Sequence, residues 1–296
     1  MAALSDPILQ NLKKLVFAGP CWRWELLRTG WPADQAVETA VLKKAPLIRH
    51  IADATLDAGA TMLLTPTESA FANTARLSKE QVGEIYRAAC RVCAEAIAEH
   101  GGSDLRLVGV LGPCEQLLAL DEIRADALGA TYAEQAQILA ASGVRAIACR
   151  HFSELGALVC AVRASVKTGL PVIACLTFDS GSESAETAMG ATIPQACAEL
   201  SELGVAAIGC DDGDNADAMA GLIQKIRSHT SVPIWATLPA GGPQLIEGNA
   251  AYPETPLEYA ARLGPVHAAG AHIVGLGAGA SVEHLRAMAK PRRERK

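Results

Sequence analysis

Eight short apolar runs, each followed by a segment with helical spacing, constrain this 296-residue chain more than any other feature. They are Lys14–Ala18, Thr61–Thr65, Arg106–Leu111, Arg145–Cys149, Pro171–Leu176, Val205–Gly209, Pro233–Thr237 and His272–Leu276. Aliphatic runs this short fit strands buried on both faces, as in a parallel sheet covered by helices. Half of the residues are hydrophobic but only 4% are aromatic, so aliphatic packing must fill the core. Eight alternations with no linker-like break predict an α/β chain forming a single (β/α)8 TIM barrel over residues 1–296. The basic end, 290–296, is expected to fray into solvent.

Helical patterns run from about Asp34 to Leu56 and over Lys79–His100, the second opened by the capping-box spacing of Ser78 and Gln81. Helical spacing also begins near Ser153 and covers Asn215–Ile226, while Leu238–Pro256 is a long loop rich in Gly and Pro. In the last unit, Gly275, Gly277 and Gly279 allow a tight turn, Ser281 is placed to cap the next helix, and Glu283 favours the positive end of its dipole.

A net charge of −6 gives no long-range attraction for nucleic acid or an anionic membrane. No apolar run is long enough to span a bilayer, and the first residues lack a secretory layout. The nine cysteines are odd in number, without a framework, and embedded in apolar segments. That pattern predicts reduced thiols and a cytoplasmic protein. Cys90-x-x-Cys93 falls within a helix and is expected to pack there.

In barrels of this kind the chemistry sits at the carboxyl ends of the strands. That rule nominates Cys21, Glu68, Cys114, Glu115, Arg150, His151, Asp179, Cys210, Asp211 and Asp212. Asp211 and Asp212 can act as an acid–base pair, since adjacent carboxylates push one pKa up, or one of them can cap a helix. His151 can donate or accept a proton, and Arg150 can bind a carboxylate or pair with Asp or Glu across the mouth. Cys21, Cys114 and Cys210 with His151 could make a soft-metal site, though the spacing matches no metal motif. Trp22 and Trp24 can wall a pocket for an apolar or aromatic substrate or simply pack in the core, and the loop Gly275–Ser281 can cradle a phosphate unless it is only an inherited turn.

The segment His272–Met288 resembles the end of the homocysteine S-methyltransferase family, whose usual form is I-V-G-G-C-C-G-T-T-P-E-H-I-R-A-M. Glu283, His284, Arg286, Ala287 and Met288 match, Val282 replaces Pro, and Gly277 and Ala278 stand where the family has adjacent zinc-binding cysteines. The likeness continues along the chain. Ala18-Gly19-Pro20-Cys21 with Glu25-Leu26 is similar to D-G-A-M-G-T-E-L, and Gly112-Pro113 fits the G-P after strand three. Phe152–Leu155, Thr168–Val172 and Thr177–Asp179 form the best-matched block, where Arg150-His151 replaces the family's E-T. Asp212 stands at the place of the third zinc cysteine.

The resemblance implies a methyltransferase barrel, and its departures imply that zinc is not held at the family position. One hard oxygen and no thiolates cannot make the sulfur cage zinc favours. Asp212, Asp211 and His151 are then the expected catalytic groups. Cys21, Trp22, Glu68, Cys114, Glu115, Arg150, Asp179, Cys210, Gly277 and Ala278 are the expected substrate-binding surface. The expected substrate is a small methylated donor, and the expected acceptor is the cobalamin of a corrinoid partner protein. The alternatives are a thiol acceptor served by a relocated metal or an acid–base pair, and a non-catalytic binding barrel. Dimers are common among such relatives, so homodimerisation is a further expectation of the resemblance.

Overall fold

The computed structural model describes residues 15–68, 77–114, 123–179, 185–211, 216–246 and 249–293. The predicted runs form β1 (Val16–Gly19), β2 (Met62–Leu64), β3 (Arg106–Leu111), β4 (Ala146–Phe152), β5 (Val172–Thr177), β6 (Ala207–Asp211) and β7 (Ile234–Leu238). A small antiparallel hairpin follows, β8 (Gln244–Ile246) with β9 (Asn249–Ala251), and then β10 (Ile273–Leu276). The eight parallel strands close in sequence order, with β10 between β7 and β1. The chain is a (β/α)8 barrel.

Strand alternation divides the side chains into two cores. Met62, Leu64, Val108, Val110, Ala146, Ala148, Ile173, Cys175, Ala207 and Ile273 fill the barrel itself. Ile147, Cys149, Ile208, Cys210, Ala236 and Val274, one position out of phase, pack against the helices. The inner core is dominated by Trp235, wholly buried across the barrel. Its neighbours must be glycines. A Cβ on Gly275 would lie 2.9 Å from the Trp235 ring, and one on Gly209 would lie 2.4 Å from Cys175 Sγ and 2.9 Å from Trp235 Cβ.

Three local expectations change. The first helical pattern is broken into a 3-10 turn at Val37–Thr39, a single turn at Ala40–Lys43 and the helix Ala45–Ala58, because Lys44 leaves helical geometry and Pro46 restarts the helix. The loop after β7 contains the hairpin, whose strands are too short to register as apolar runs. The expected cap by Ser281 is supplied differently. The Ser281 hydroxyl lies 2.8 Å from His284 Nδ1, and the Val282 N–H donates to Glu25 Oε1 at 2.7 Å.

The capping box of Ser78 and Gln81 forms as expected at the head of Lys79–His100. Cys90 and Cys93 are buried within that helix, and burial pushes both thiols up, Cys90 to about 12. All nine cysteines are free thiols. The last helix, Val282–Arg293, runs into the basic end, and residues 294–296 lie outside the described residues. No described helix is long and apolar enough to cross a membrane.

Candidate active site

Alternation also decides which strand-end groups enter the barrel. Arg150 shares the inward phase of Ala146 and Ala148, Asp211 that of Ala207 and Gly209, and Thr237 that of Trp235. They meet on the barrel axis. Arg150 Nε and Nη2 donate to Asp211 Oδ1 at 3.1 and 2.9 Å, and Thr237 Oγ1 donates to the same oxygen at 2.5 Å. Arg150 Nη2 also reaches Thr237 Oγ1 at 3.0 Å, which in turn accepts from Trp235 Nε1 at 2.8 Å. The guanidinium lies 5.2 Å from the Trp235 ring centroid, a cation–π contact in a dry setting.

Burial alone would raise the Asp211 carboxyl. The Arg150 and His151 charges and the hydrogen bonds from Thr237 and the His151 N–H outweigh it and hold the group at about 2, below its ordinary 3.8. Asp211 is therefore held as the anion that partners Arg150. Arg150 is 2% exposed and engaged by that anion, so of its two expected roles the structure contains the pairing across the mouth.

Above this pair lies a cleft of about 50 Å³, room for one reacting group and a water or two. It is formed by the ends of β1 to β4. Trp22, Leu64 and Val110 supply apolar walls, while Glu38, Glu68, Arg150 and His151 supply polar ones. His151 Nε2 lies 3.3 Å from Glu68 Oε1, and Glu68 Oε2 lies 4.0 Å from Arg150 Nη1. Glu68 is positioned by the turn after β2. There Thr65 and Thr67 share a hydroxyl contact of 2.8 Å, Thr67 Oγ1 donates to Val110 O at 2.6 Å, and the Val110 N–H donates to Thr65 Oγ1 at 3.0 Å. Trp22 is pinned by its indole N–H to Leu64 O at 2.9 Å.

The cleft thus gathers Cys21, Trp22, Glu68, Arg150 and His151 from the nominated residues. Cys114 is half-buried after β3, and Asp179 is exposed after β5. Glu115 and Asp212 lie outside the described residues. Cys210 does not reach the mouth. It is out of phase with Asp211, wholly buried among outer-shell residues, and its thiol donates to Asp211 O at 3.4 Å. Glu38, Thr237 and Trp235 were missed. Glu38, 1% exposed, was hidden inside what looked like one continuous helix, whereas the inward phase of Thr237 was available from the alternation.

The last strand's loop has a different character. Arg28 donates to Gly279 O and, at 3.2 Å, to Ala280 O. Tyr252 lies on Gly279, where a Cβ would come within 2.1 Å of Tyr252 Cβ, and the Trp24 ring meets Tyr252 edge-on at 4.9 Å. His284 Nε2 lies 3.0 Å from Glu254 O. Gly277 and Ala278 have no ligand atom in their side chains, and Cys210 points away from this loop. Among the described residues no group of three His, Cys, Asp or Glu side chains is arranged to hold a metal ion.

The fold matches that of Escherichia coli homocysteine methyltransferase MmuM. Its metallated form shares 17% identity with a TM-score of 0.78, covering 98% of this chain and 99% of that one. The apo form shares 18% with a TM-score of 0.74, over 96% and 98%. The carboxyl transferase domain of Rhizobium etli pyruvate carboxylase is a more distant likeness, with 14% identity and a TM-score of 0.55 over 90% of this chain and 41% of that one. No curated protein matches the chain by sequence. The homocysteine S-methyltransferase family model matches residues 9–291. Nearly the whole chain thus carries that family's pattern, and it belongs to the homocysteine S-methyltransferase family and is a methyltransferase.

Proposed function

We propose that this barrel moves a methyl group from a small methylated donor to a thiol without a zinc cage, with the His151–Glu68 pair handling the proton. The observation that carries this is the 3.3 Å contact between His151 Nε2 and Glu68 Oε1 within the cleft. With Nε2–H turned to Glu68, Nδ1 takes the thiol proton. The sulfur then forms its bond to the methyl carbon, and the donor's leaving atom keeps the electron pair of the bond that breaks. Glu68 stabilises the imidazolium that results. The apolar walls and the small volume exclude bulk water from the reacting atoms.

A second reading follows from the same lack of ligand atoms at Gly277 and Ala278. An acceptor that arrives already nucleophilic, the cobalamin of a corrinoid partner protein, needs no thiolate activation. His151 would then protonate the departing atom. The nine free thiols support a reducing compartment, the cytoplasm, for either reaction.

The test offers the purified chain a panel of methylated sulfonium, ammonium and thioether donors. The acceptors are homocysteine or simpler thiols, or a reduced corrinoid protein, with and without a metal chelator. We expect thiol methylation that survives the chelator and falls by about 10²–10⁴-fold in His151→Gln. Transfer to the corrinoid protein alone selects the second reading. Activity that tracks stoichiometric zinc sinks both.

A further inference from the structure

We infer that Asp211 is the positioning residue for His151, accepting its backbone N–H on one carboxylate oxygen while Arg150 and Thr237 fix the other. The inference rests on the reading of His151 as the proton-handling group.

Strands β4 and β5 pair regularly from Ile147 opposite Val172 to Cys149 opposite Ala174, and pairing resumes at Phe152 opposite Leu176. Three steps on β4 therefore face two on β5. One extra residue is inserted, a β-bulge of the kind that re-aims a side chain. The bulge is absorbed at His151, whose φ of 62° lies in the left-handed region. A residue with a Cβ avoids that region unless its surroundings impose it.

Regular alternation would send residue 151 outward, in phase with Ile147 and Cys149 and away from the mouth. The bulge brings its imidazole into the cleft beside Glu68 instead. What imposes the bulge is visible. The His151 N–H donates to Asp211 Oδ2 at 2.6 Å, while Oδ1 takes the donors from Arg150 and Thr237. Trp235, wedged across the barrel, holds the Thr237 hydroxyl in turn. A rigid path thus runs from the barrel's inner core to the imidazole. Arg150 balances the Asp211 charge, so Asp211 can aim His151 while Glu68 remains the anion beside the ring.

The charged groups around the imidazole are Glu68 from the end of β2, Glu38 from the turn Val37–Thr39, Arg23 from the helix Trp22–Arg28, Arg150 beside it on β4 and Asp211 from β6. The experiment follows the His151 ring by NMR in the full chain with labelled histidine, its signal identified by its loss in His151→Gln. In the otherwise wild-type chain, Glu68→Gln should lower the apparent pKa of His151 by about 0.5–1. In Asp211→Asn that effect should fall below half, because the ring no longer points at residue 68. Thr237→Val leaves the Arg150–Asp211 pair in place and should weaken the effect in the same way, and Thr237→Ser, which keeps the hydroxyl, should restore it. If Asp211→Asn does not fold, the two Thr237 variants decide.

An effect of Glu68→Gln as large in folded Asp211→Asn or Thr237→Val as in the wild type overturns the positioning role and leaves the His151–Glu68 pair standing. No effect of Glu68→Gln in the wild type overturns the pair itself, and the positioning role with it.

Discussion

The mouth of this barrel has two arcs of opposite character. At the ends of β1 to β4 it is open and polar, with two carboxylates, an imidazole and a buried guanidinium around one cleft. At the end of β10 it is closed. Tyr252 covers Gly279 with Trp24 packed edge-on against it, Arg28 holds two carbonyls, and Glu25 caps the helix beyond. Reactive groups and structural fastenings have been sorted to different sides of one opening.

Substitutions can break this contrast, and the largest effect is expected where the arcs meet. Asp211→Ala leaves Arg150 buried without its anion and should cost about 3–5 kcal/mol of stability, read as a fall in urea midpoint. Gly279→Ala drives a methyl into Tyr252 and forces a residue with a Cβ to φ 75°. It should cost about 2–4 kcal/mol while leaving the catalytic rate of the folded fraction unchanged. A loss of rate beyond the loss of folded protein would show that the closed arc takes part in chemistry.

Acid should expose the Arg150–Asp211 pair without any mutation. Because the folded-state pKa of Asp211 is depressed to about 2 from 3.8, its contribution is fully present above about pH 5 and is lost as the pH falls toward 2. The expected loss is about 2 kcal/mol, seen as a stability slope that disappears in Asp211→Asn. A smaller cost, about 1 kcal/mol, is expected for Arg28→Ala, because its bonds to the Gly279 and Ala280 carbonyls lie at the partly exposed edge. Glu68→Gln, by contrast, should leave Tm within a degree or two of wild type and remove most of the methyl transfer.

The fold was legible because its evidence is periodic and repeated eight times, and errors of a residue or two at strand ends do not alter the closure. The site was legible only in part. That Arg150, His151 and Glu68 sit at strand ends follows from strand position alone. That Cys210 turns away while Asp211 turns in follows from counting alternate residues back to Ala207. The bulge at His151 carries no comparable signal, since nothing local in Cys-Arg-His-Phe marks an inserted residue. It depends on Asp211, sixty positions away in the chain. Glu38 escaped for a related reason, because a helical pattern across Lys44 hid the short turn that delivers it.

The indole that spans the barrel interior has a consequence for traffic. With Trp235 and its aliphatic neighbours packed beneath Arg150, the barrel offers no passage through its base. A reactant and the product made from it must therefore use one doorway, so each turnover has to empty the vestibule before the next guest can enter.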